Sequence, residues 1–278
     1  MPQTSVQQTV VQQTVVQRVA EVIVAESAQA AGELVAAHIA ARVATMPRFT
    51  LGVATGSTPL PVYAALRAQA EAGVDFAAVT AFALDEYVGL SPRHPESYRA
   101  VVDREVTVPL GLDPQNVHVP DGSLAGIETA GERYEQALVA NGGVDLQLLG
   151  IGATGHLGFN EPGSSFGSLT RVKTLTERTR IDNARFFASL DEVPIHCVTQ
   201  GLGTILRARH LVLLAFGEGK ADAVAAAVEG PVSASMPGSA IQLHAHVTVV
   251  LDPAAAQGLA HRDYYAWAQL HKPGWQGI

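Results

Sequence analysis

Two adjacent carboxylates, Asp85 and Glu86, follow an apolar run that predicts a buried strand at 79–84. A carboxylate held in a crevice can carry a proton between neighbouring carbons, for example in an open-chain sugar. Asp85 is nearer to the apolar run, so it is the better candidate for such a base. Carboxylates in loops are often only solvated, so this pair indicates catalysis only together with other residues.

The loop at 152–165 carries His156 and Glu161 among several glycines and a proline. Residues 150–155 match the G-x-G-x-x-G pattern of dinucleotide sites, but the glycines and proline that follow prevent the helix that such a site needs. We therefore interpret the glycines as shaping a loop that exposes His156 and Glu161. A carboxylate in contact with an imidazole fixes its tautomer and makes it a stronger base.

The segment Thr-Gly-Ser-Thr-Pro at 55–59 joins a predicted strand to a predicted helix. Gly56 permits a tight turn close to an anion, and the helix start supplies free N–H groups beside the hydroxyls of Ser57 and Thr58. An ordinary helix cap with proline in the first turn is the alternative interpretation. No Gly-Lys-Ser/Thr follows, so the segment favours a sugar phosphate over a nucleoside triphosphate.

Apolar runs and amphipathic stretches alternate along the chain. Strands are predicted at 49–54, 79–84, 144–151, 194–199, 210–216 and 247–251, and helices at 26–44, 59–71, 96–106, 126–140 and 218–228. This alternation predicts an α/β protein with a Rossmann-like three-layer fold, in which helices flank a mostly parallel central sheet. Ligands bind beyond the carboxyl ends of the strands in such sheets, so we expect the loops that follow the strands to form one site.

Residues 6–18 read VQQTVVQQTVVQR, a five-residue repeat with the period of neither a strand nor a helix. We interpret residues 1–18 as a flexible N-terminal tail. No convincing linker divides the remainder, so residues 19–278 are expected to form a single domain.

The composition narrows the class of protein and its partners. The net charge of -8 disfavours nucleic acid or a membrane surface as a partner, while a small phosphorylated molecule needs only a few local cations. Cys197 is the only cysteine and lies in a predicted strand, so we expect a core thiol and no intrachain disulfide. We see no signal peptide and no apolar run near the roughly 20 residues that span a bilayer, and we therefore expect a cytoplasmic protein.

Five segments together resemble the glucosamine-6-phosphate deaminase/isomerase family. They are TGSTP at 55–59, LDEYVGL at 84–90, GHLGFNEPGSS at 155–165, TRVKTLT at 170–176 and VEGPV at 228–232. The resemblance extends from about Glu26 to about Leu251, and the related 6-phosphogluconolactonases share the fold of this family.

The resemblance implies a role for each matching residue. Asp85 matches the base that carries the proton between C1 and C2, His156 the residue that opens the pyranose ring, and Glu161 the carboxylate partner of that histidine. The residues that match the substrate-phosphate site are Gly56, Ser57, Thr58, Arg185 and Lys220. The implied reaction converts glucosamine 6-phosphate and water to fructose 6-phosphate and ammonia, without a metal or an organic cofactor.

Thr154 departs from the family pattern, which usually has Asp or Asn two residues before the ring-opening histidine. A hydroxyl can orient the imidazole but cannot supply the same negative charge. We therefore expect activity with a weaker base at His156 and slower ring opening, and Thr154 is included among the catalytic candidates.

Some members of the family are hexamers with an allosteric amino-sugar phosphate site, and Ser165, Arg171 and Lys173 resemble residues of that site. A homo-oligomer and an allosteric response are therefore expectations from the resemblance. Two alternatives share the fold, namely a phosphosugar lactonase and a sugar-phosphate sensor without catalysis. Release of ammonia distinguishes the deaminase from both.

Overall fold

Ten strands form two sheets in the computed structural model, which describes residues 20–274 and 276–278. The strands are β1 (Ala20–Val24), β2 (Thr50–Val53), β3 (Thr80–Ala83), β4 (Asp85–Tyr87), β5 (Val117–His118), β6 (Leu146–Gly150), β7 (Arg171–Thr174), β8 (His196–Thr199), β9 (Leu211–Ala215) and β10 (Val247–Leu251). Seven of them form the central sheet in the order β1-β10-β9-β6-β2-β3-β5, with parallel pairing throughout. The predicted mostly parallel sheet is confirmed. The expected tail at 1–18 lies outside the described residues.

The helices of the described residues lie mainly between consecutive strands of the central sheet. They are α1 (Ala28–Thr45), α2 (Leu60–Glu71), α3 (Tyr98–Val102), α4 (Val108–Leu110), α5 (Ala130–Ala140), α6 (Glu177–Asn183), α7 (Leu202–Ile205), α8 (Ala221–Val228) and α9 (Arg262–Leu270). Short 3₁₀ turns precede α5 and α8, and a π-helical turn at Asp103–Thr107 follows α3. Within the described ranges, none of these helices has the length and apolar character needed to cross a bilayer.

Apolar residues are buried on both faces of the central sheet, which is why its strands read as continuous hydrophobic runs. On one face, Leu51 and Leu214 pack in a core cluster with Ile39 of α1 and Leu66 of α2. On the other face, a second cluster is formed by residues of the sheet, α5 and α8, including Leu149, Leu213, Leu138 and Val224. The two clusters give the three layers predicted from the sequence.

The second sheet has three antiparallel strands in the order β4-β8-β7. The strand predicted at 194–199 is present as β8, but its place in the central sheet was wrong, because β8 pairs with β4 and β7 instead. Its exposed first residue, His196, fits a sheet with a solvent-facing edge rather than the covered centre of a parallel sheet. Cys197 lies in β8 and is fully buried, so the predicted core thiol is confirmed.

The two sheets meet at Leu84, the single residue between β3 and β4. The Leu84 N–H donates to the carbonyl of Val53 in β2, and its carbonyl accepts from the N–H of Gln200, which directly follows β8. The chain thus passes from the end of the central sheet straight into the second sheet. Asp85, the first residue of β4, is fixed at this junction by the main chain.

Candidate active site

A cavity of about 750 Å³ opens at the carboxyl ends of the central strands. The segments that follow β2, β3, β6 and β9 all contribute to its wall, which is where parallel sheets bind ligands. Seven residues predicted from the sequence line this cavity: Gly56, Ser57, Thr58, Asp85, His156, Arg185 and Lys220. The predicted convergence of the strand-end loops is therefore observed.

Asp85 is buried, with only 5% of its surface exposed, and it forms part of the cavity wall. Burial, together with the nearby charge of Glu86, raises its pKa to about 8. No hydrogen bond to its carboxylate is found within residues 20–274 and 276–278. The group is therefore held close to the pH range in which it can both accept and return a proton.

Gly158 allows the histidine-bearing loop to approach Asp85. Its φ of +54° lies in the left-handed region, and a Cβ atom on it would stand 3.2 Å from Asp85 Oδ2 and 3.0 Å from Thr199 Oγ1. A side chain at this position would push against the carboxyl group. The glycine thus brings the loop of His156 into direct contact with the junction that carries Asp85.

Glu86 has a different task from its neighbour. Its Oε1 accepts hydrogen bonds from the N–H groups of Tyr87 and Tyr98, each at 2.8 Å, and its Oε2 accepts from the N–H of Arg99 at 2.9 Å. Tyr98 and Arg99 begin α3, so Glu86 satisfies two of the free N–H groups at the start of that helix. The structure therefore leaves Asp85 as the acid available to a ligand.

Thr154 bridges His156 and Glu161. Its Oγ1 lies 3.0 Å from His156 Nδ1 and 3.0 Å from Glu161 Oε2, whereas His156 Nδ1 and Glu161 Oε1 are 3.5 Å apart. Thr154 and Glu161 do not line the cavity and lie behind His156. The expected contact between imidazole and carboxylate is thus made mainly through the hydroxyl of the residue that departs from the family pattern.

The single hydroxyl proton of Thr154 fixes the direction of this bridge. Burial alone would raise the pKa of Glu161, but the nearby imidazole of His156 and the hydroxyls of Thr179 and Thr154 outweigh burial and lower the pKa to about 2. The ionised carboxylate can only accept, so Thr154 donates to it and its oxygen accepts the Nδ1–H of His156. The neutral imidazole then has its lone pair on Nε2, the nitrogen that can take a proton from a ligand.

Two cations, Arg185 and Lys220, and the loop before α2 line the cavity. Gly56, with a φ of +86°, precedes α2, and Lys220 Nζ donates to the carbonyl of Ile151 at 2.8 Å. Burial lowers the pKa of Lys220, and the positive charge of Arg185 lowers it further. Two cations that repel each other, exposed Arg185 and half-buried Lys220, favour a bound anion between them.

Thr176, Thr179 and Asn183 are site residues that the sequence analysis missed. The two threonine hydroxyls contact Glu161, and Asn183 Nδ2 donates to the phenol oxygen of Tyr87 at 2.9 Å. All three belong to α6 or its cap, a helix that was not predicted. Thr176 followed directly by Glu177 is a helix-start signal that could have revealed the helix, although not its contact with Glu161.

The three residues predicted for an allosteric site lie outside the cavity. Arg171 and Lys173 alternate along β7, where both are half-buried, and Ser165 Oγ accepts from the N–H of Gly167. Burial lowers the pKa of Arg171. An effector site at these residues stays a prediction.

Comparisons with known proteins show which family the chain is similar to. A family model described as glucosamine-6-phosphate isomerases/6-phosphogluconolactonase matches residues 24–250. The glucosamine-6-phosphate deaminase of Streptomyces coelicolor is 60% identical over 253 residues, which are 90% of this chain and 97% of that protein. The enzyme of the same name from Bifidobacterium longum is 54% identical over 258 residues, covering 89% and 96% of the two chains.

Solved structures show the same likeness. The structure of a monomeric glucosamine-6-phosphate deaminase superimposes with a TM-score of 0.83 at 39% identity, covering 86% of this chain and 99% of that one. A 6-phosphogluconolactonase from Leishmania guyanensis superimposes with a TM-score of 0.69 at 22% identity, over 87% of this chain and 99% of the other. The second likeness is one of fold alone.

Proposed function

The chain belongs to the family of glucosamine-6-phosphate isomerases and 6-phosphogluconolactonases, and we propose that it is the glucosamine-6-phosphate deaminase of that family. It converts glucosamine 6-phosphate and water to fructose 6-phosphate and ammonia. The curated relatives that carry this name are 54–60% identical to the chain. The observation that carries the proposal is that Asp85, His156 and two cations line one cavity at the sheet edge.

In the proposed first step, His156 opens the pyranose ring. Nε2 accepts the proton of the O1 hydroxyl, the bond between C1 and the ring oxygen breaks, and the same proton is returned to the ring oxygen. The ionised Glu161, 3.5 Å from Nδ1, stabilises the imidazolium that forms between these two transfers. Thr154 keeps the imidazole in the tautomer that can begin the step.

In the proposed second step, ionised Asp85 removes the proton from C2 of the open-chain sugar while the aldehyde oxygen O1 takes up a proton from water, which gives an enol that carries the amine on C2. Asp85 then returns its proton to C1 and the amine gives up one proton to water, so that C1 becomes a hydroxymethyl carbon and C2 an imine carbon. Water adds to the imine carbon, and ammonia leaves to give the ketone. The raised pKa of Asp85 suits this task, because a base must release at C1 the proton that it has taken from C2.

The proposed phosphate site orients the sugar for both steps. Arg185, Lys220 and the loop at 56–58 line one part of the cavity wall, and Asp85 and His156 line another. Anchoring the phosphate places the C1–C2 edge of the sugar against the acid and the imidazole, which lowers the entropic cost of reaching the transition state.

The test is to incubate the purified protein with glucosamine 6-phosphate and measure ammonia and fructose 6-phosphate. We expect both products in equal amounts, with Asp85→Asn abolishing turnover while the binding of inorganic phosphate, measured by calorimetry, is retained. A 6-phosphogluconolactonase would hydrolyse 6-phosphogluconolactone and release no ammonia, and a sensor would bind the sugar phosphate without turnover. Either result would overturn the proposal.

The proposal extends to the reaction class, the cellular location and the metabolic role of the enzyme. It acts as a hydrolase of carbon–nitrogen bonds in the cytoplasm and serves the catabolism of N-acetylglucosamine, since glucosamine 6-phosphate remains when the acetyl group of its N-acetylated form is removed. A homo-oligomer is an expectation from the family, whereas one structural neighbour is described as monomeric. Sedimentation of the purified protein decides between the two states.

A further inference from the structure

Helix α6 presents two threonine hydroxyls to the carboxylate of Glu161. Thr179 Oγ1 donates to Glu161 Oε1, and Thr176 Oγ1 lies 3.3 Å from the same oxygen and 3.0 Å from Thr179 Oγ1. Thr179 is only 4% exposed and lines the cavity. The far side of Glu161, opposite Thr154, is therefore occupied by the start of a helix.

A helix cap explains Thr176 but not Thr179. Thr176 is the N-cap of α6, and its oxygen accepts from the N–H of Thr179 at 3.1 Å. The hydroxyl of Thr179 takes no part in this cap. It is directed instead at Glu161, a residue 18 positions earlier in the chain.

The charge of Glu161 fixes the direction of the hydrogen bond from Thr179. Glu161 is ionised and can only accept, so the single proton of Thr179 is donated to Oε1. Thr179 Oγ1 can then accept the proton of Thr176, 3.0 Å away. Each carboxylate oxygen thus receives a threonine hydroxyl, Oε2 from Thr154 and Oε1 from Thr179.

We propose that Thr179 is a positioning residue for ring opening, which holds the Glu161 carboxylate in the orientation that Thr154 and His156 require. Thr176 directs the hydroxyl of Thr179 towards its target. This inference rests on the proposed deaminase function and deepens it. It also makes α6 a direct connection between the ring-opening residues and Arg185, which follows the helix by two residues.

Among the described residues, one ionisable side chain contacts Glu161, namely that of His156 on the loop after β6. Helix α6 contributes hydroxyls rather than charges to this contact. Its Arg180 side chain donates to the carbonyls of Leu190 and Val193, and its Glu177 and Arg178 are exposed. Changing Thr179 therefore removes a hydrogen bond without moving a charge.

The test compares Thr179→Val, which keeps the volume and removes the hydroxyl, with Thr179→Ser, which keeps the hydroxyl. In the valine variant we expect kcat to fall about tenfold with KM changed less than about twofold, because a donor to a charged acceptor is lost. The serine variant should restore kcat.

A second readout does not depend on turnover. The carboxyl carbon of Glu161 can be titrated by NMR in protein carrying ¹³C-labelled glutamate, with its signal identified by its loss in Glu161→Gln. We expect the titration to move to higher pH in Thr179→Val and to return in Thr179→Ser. Thr179→Ala serves the same purpose if the valine variant does not fold.

Thr174→Val is the matched control, because Thr174 is an exposed threonine on β7. It should leave the rate and the titration unchanged. An unshifted titration of Glu161 and an unchanged kcat in Thr179→Val, or no recovery in Thr179→Ser, would overturn the inference. Wild-type protein that releases no ammonia would instead refute the deaminase proposal, while the titration would still test the contact.

Discussion

The buried carboxyl group of Asp85 should make the protein less stable as the pH rises. Its pKa is about 8 in the folded protein and 3.8 for an unperturbed aspartate, because burial disfavours the charged form. Between these values the unfolded chain releases a proton that the folded protein keeps. The stability that comes with the protonated group is complete below pH 3.8 and is lost as the pH rises towards 8, by about 1.4 kcal/mol per pH unit.

Asp85→Asn removes this effect because the amide has nearly the same shape and cannot ionise. The free energy of unfolding of the variant minus that of the wild type should increase by about 3 kcal/mol from pH 5 to pH 7, which is two units of the slope above. Urea unfolding followed by circular dichroism at pH 5, 6 and 7 measures this difference, provided that the m-values of the two proteins agree.

The baseline for this experiment is Asp191→Asn, which replaces an exposed carboxylate by the same amide. Other titrating groups are common to all three proteins, so they cancel in the differences. If the difference between Asp85→Asn and the wild type is the same at pH 5 and pH 7, burial does not keep Asp85 protonated. The reasoning that links its raised pKa to catalysis would then be refuted.

Three further predictions concern residues around the cavity. Thr154→Val should lower kcat about tenfold and Thr154→Ser should retain it, since only the hydroxyl joins the imidazole to the carboxylate; steady-state assays check this, and equal rates in both variants would contradict it. Gly158→Ala should destabilise the fold by about 1–3 kcal/mol and lower kcat, because its Cβ would press on Asp85 and its φ is +54°. Gly163→Ala, at a φ of +89° with nothing within 4 Å, measures the backbone strain alone in the same unfolding and rate assays; an equal loss of activity in both alanine variants would argue against the clash. Arg185→Ala should raise KM about tenfold or more and weaken inhibition by inorganic phosphate to a similar degree; an unchanged inhibition constant would exclude Arg185 from the phosphate site.

Local patterns were sufficient to predict five of the seven strands of the central sheet and the strand-end loops that line the cavity. The strands at 49–54, 79–84 and 144–151 are short apolar runs with glycine or polar residues after them, and parallel strands place such ends at one edge. Asp85 could be preferred over Glu86 from its position alone. The physical reason, that Glu86 is used to cap α3, became visible only with the helix in place.

Contacts between distant segments were beyond the reach of the sequence. Strand β1, Ala20–Val24, is recognisable as part of the sheet only through its pairing with β10, more than 200 residues later. Likewise β7 alternates between half-buried and exposed residues, and its partner β8 decides that it is a strand. Thr179 lies in the first turn of α6, where its sequence neighbours give no sign of a function. The function proposed for it arises from its tertiary contact with Glu161.

The junction at Leu84 holds Asp85 in place without a hydrogen bond from any described residue to its carboxylate. Hydrogen bonds that aim a carboxylate also stabilise its anion and make it a poorer proton acceptor. Asp85 is instead held in place by the main chain of Leu84. The N–H of Leu84 is hydrogen-bonded to β2 in the central sheet, and its carbonyl is hydrogen-bonded to the residue after β8 in the second sheet. No described residue donates a hydrogen bond to the carboxylate of Asp85, so this group can be held in a fixed position and still be strongly basic towards a ligand.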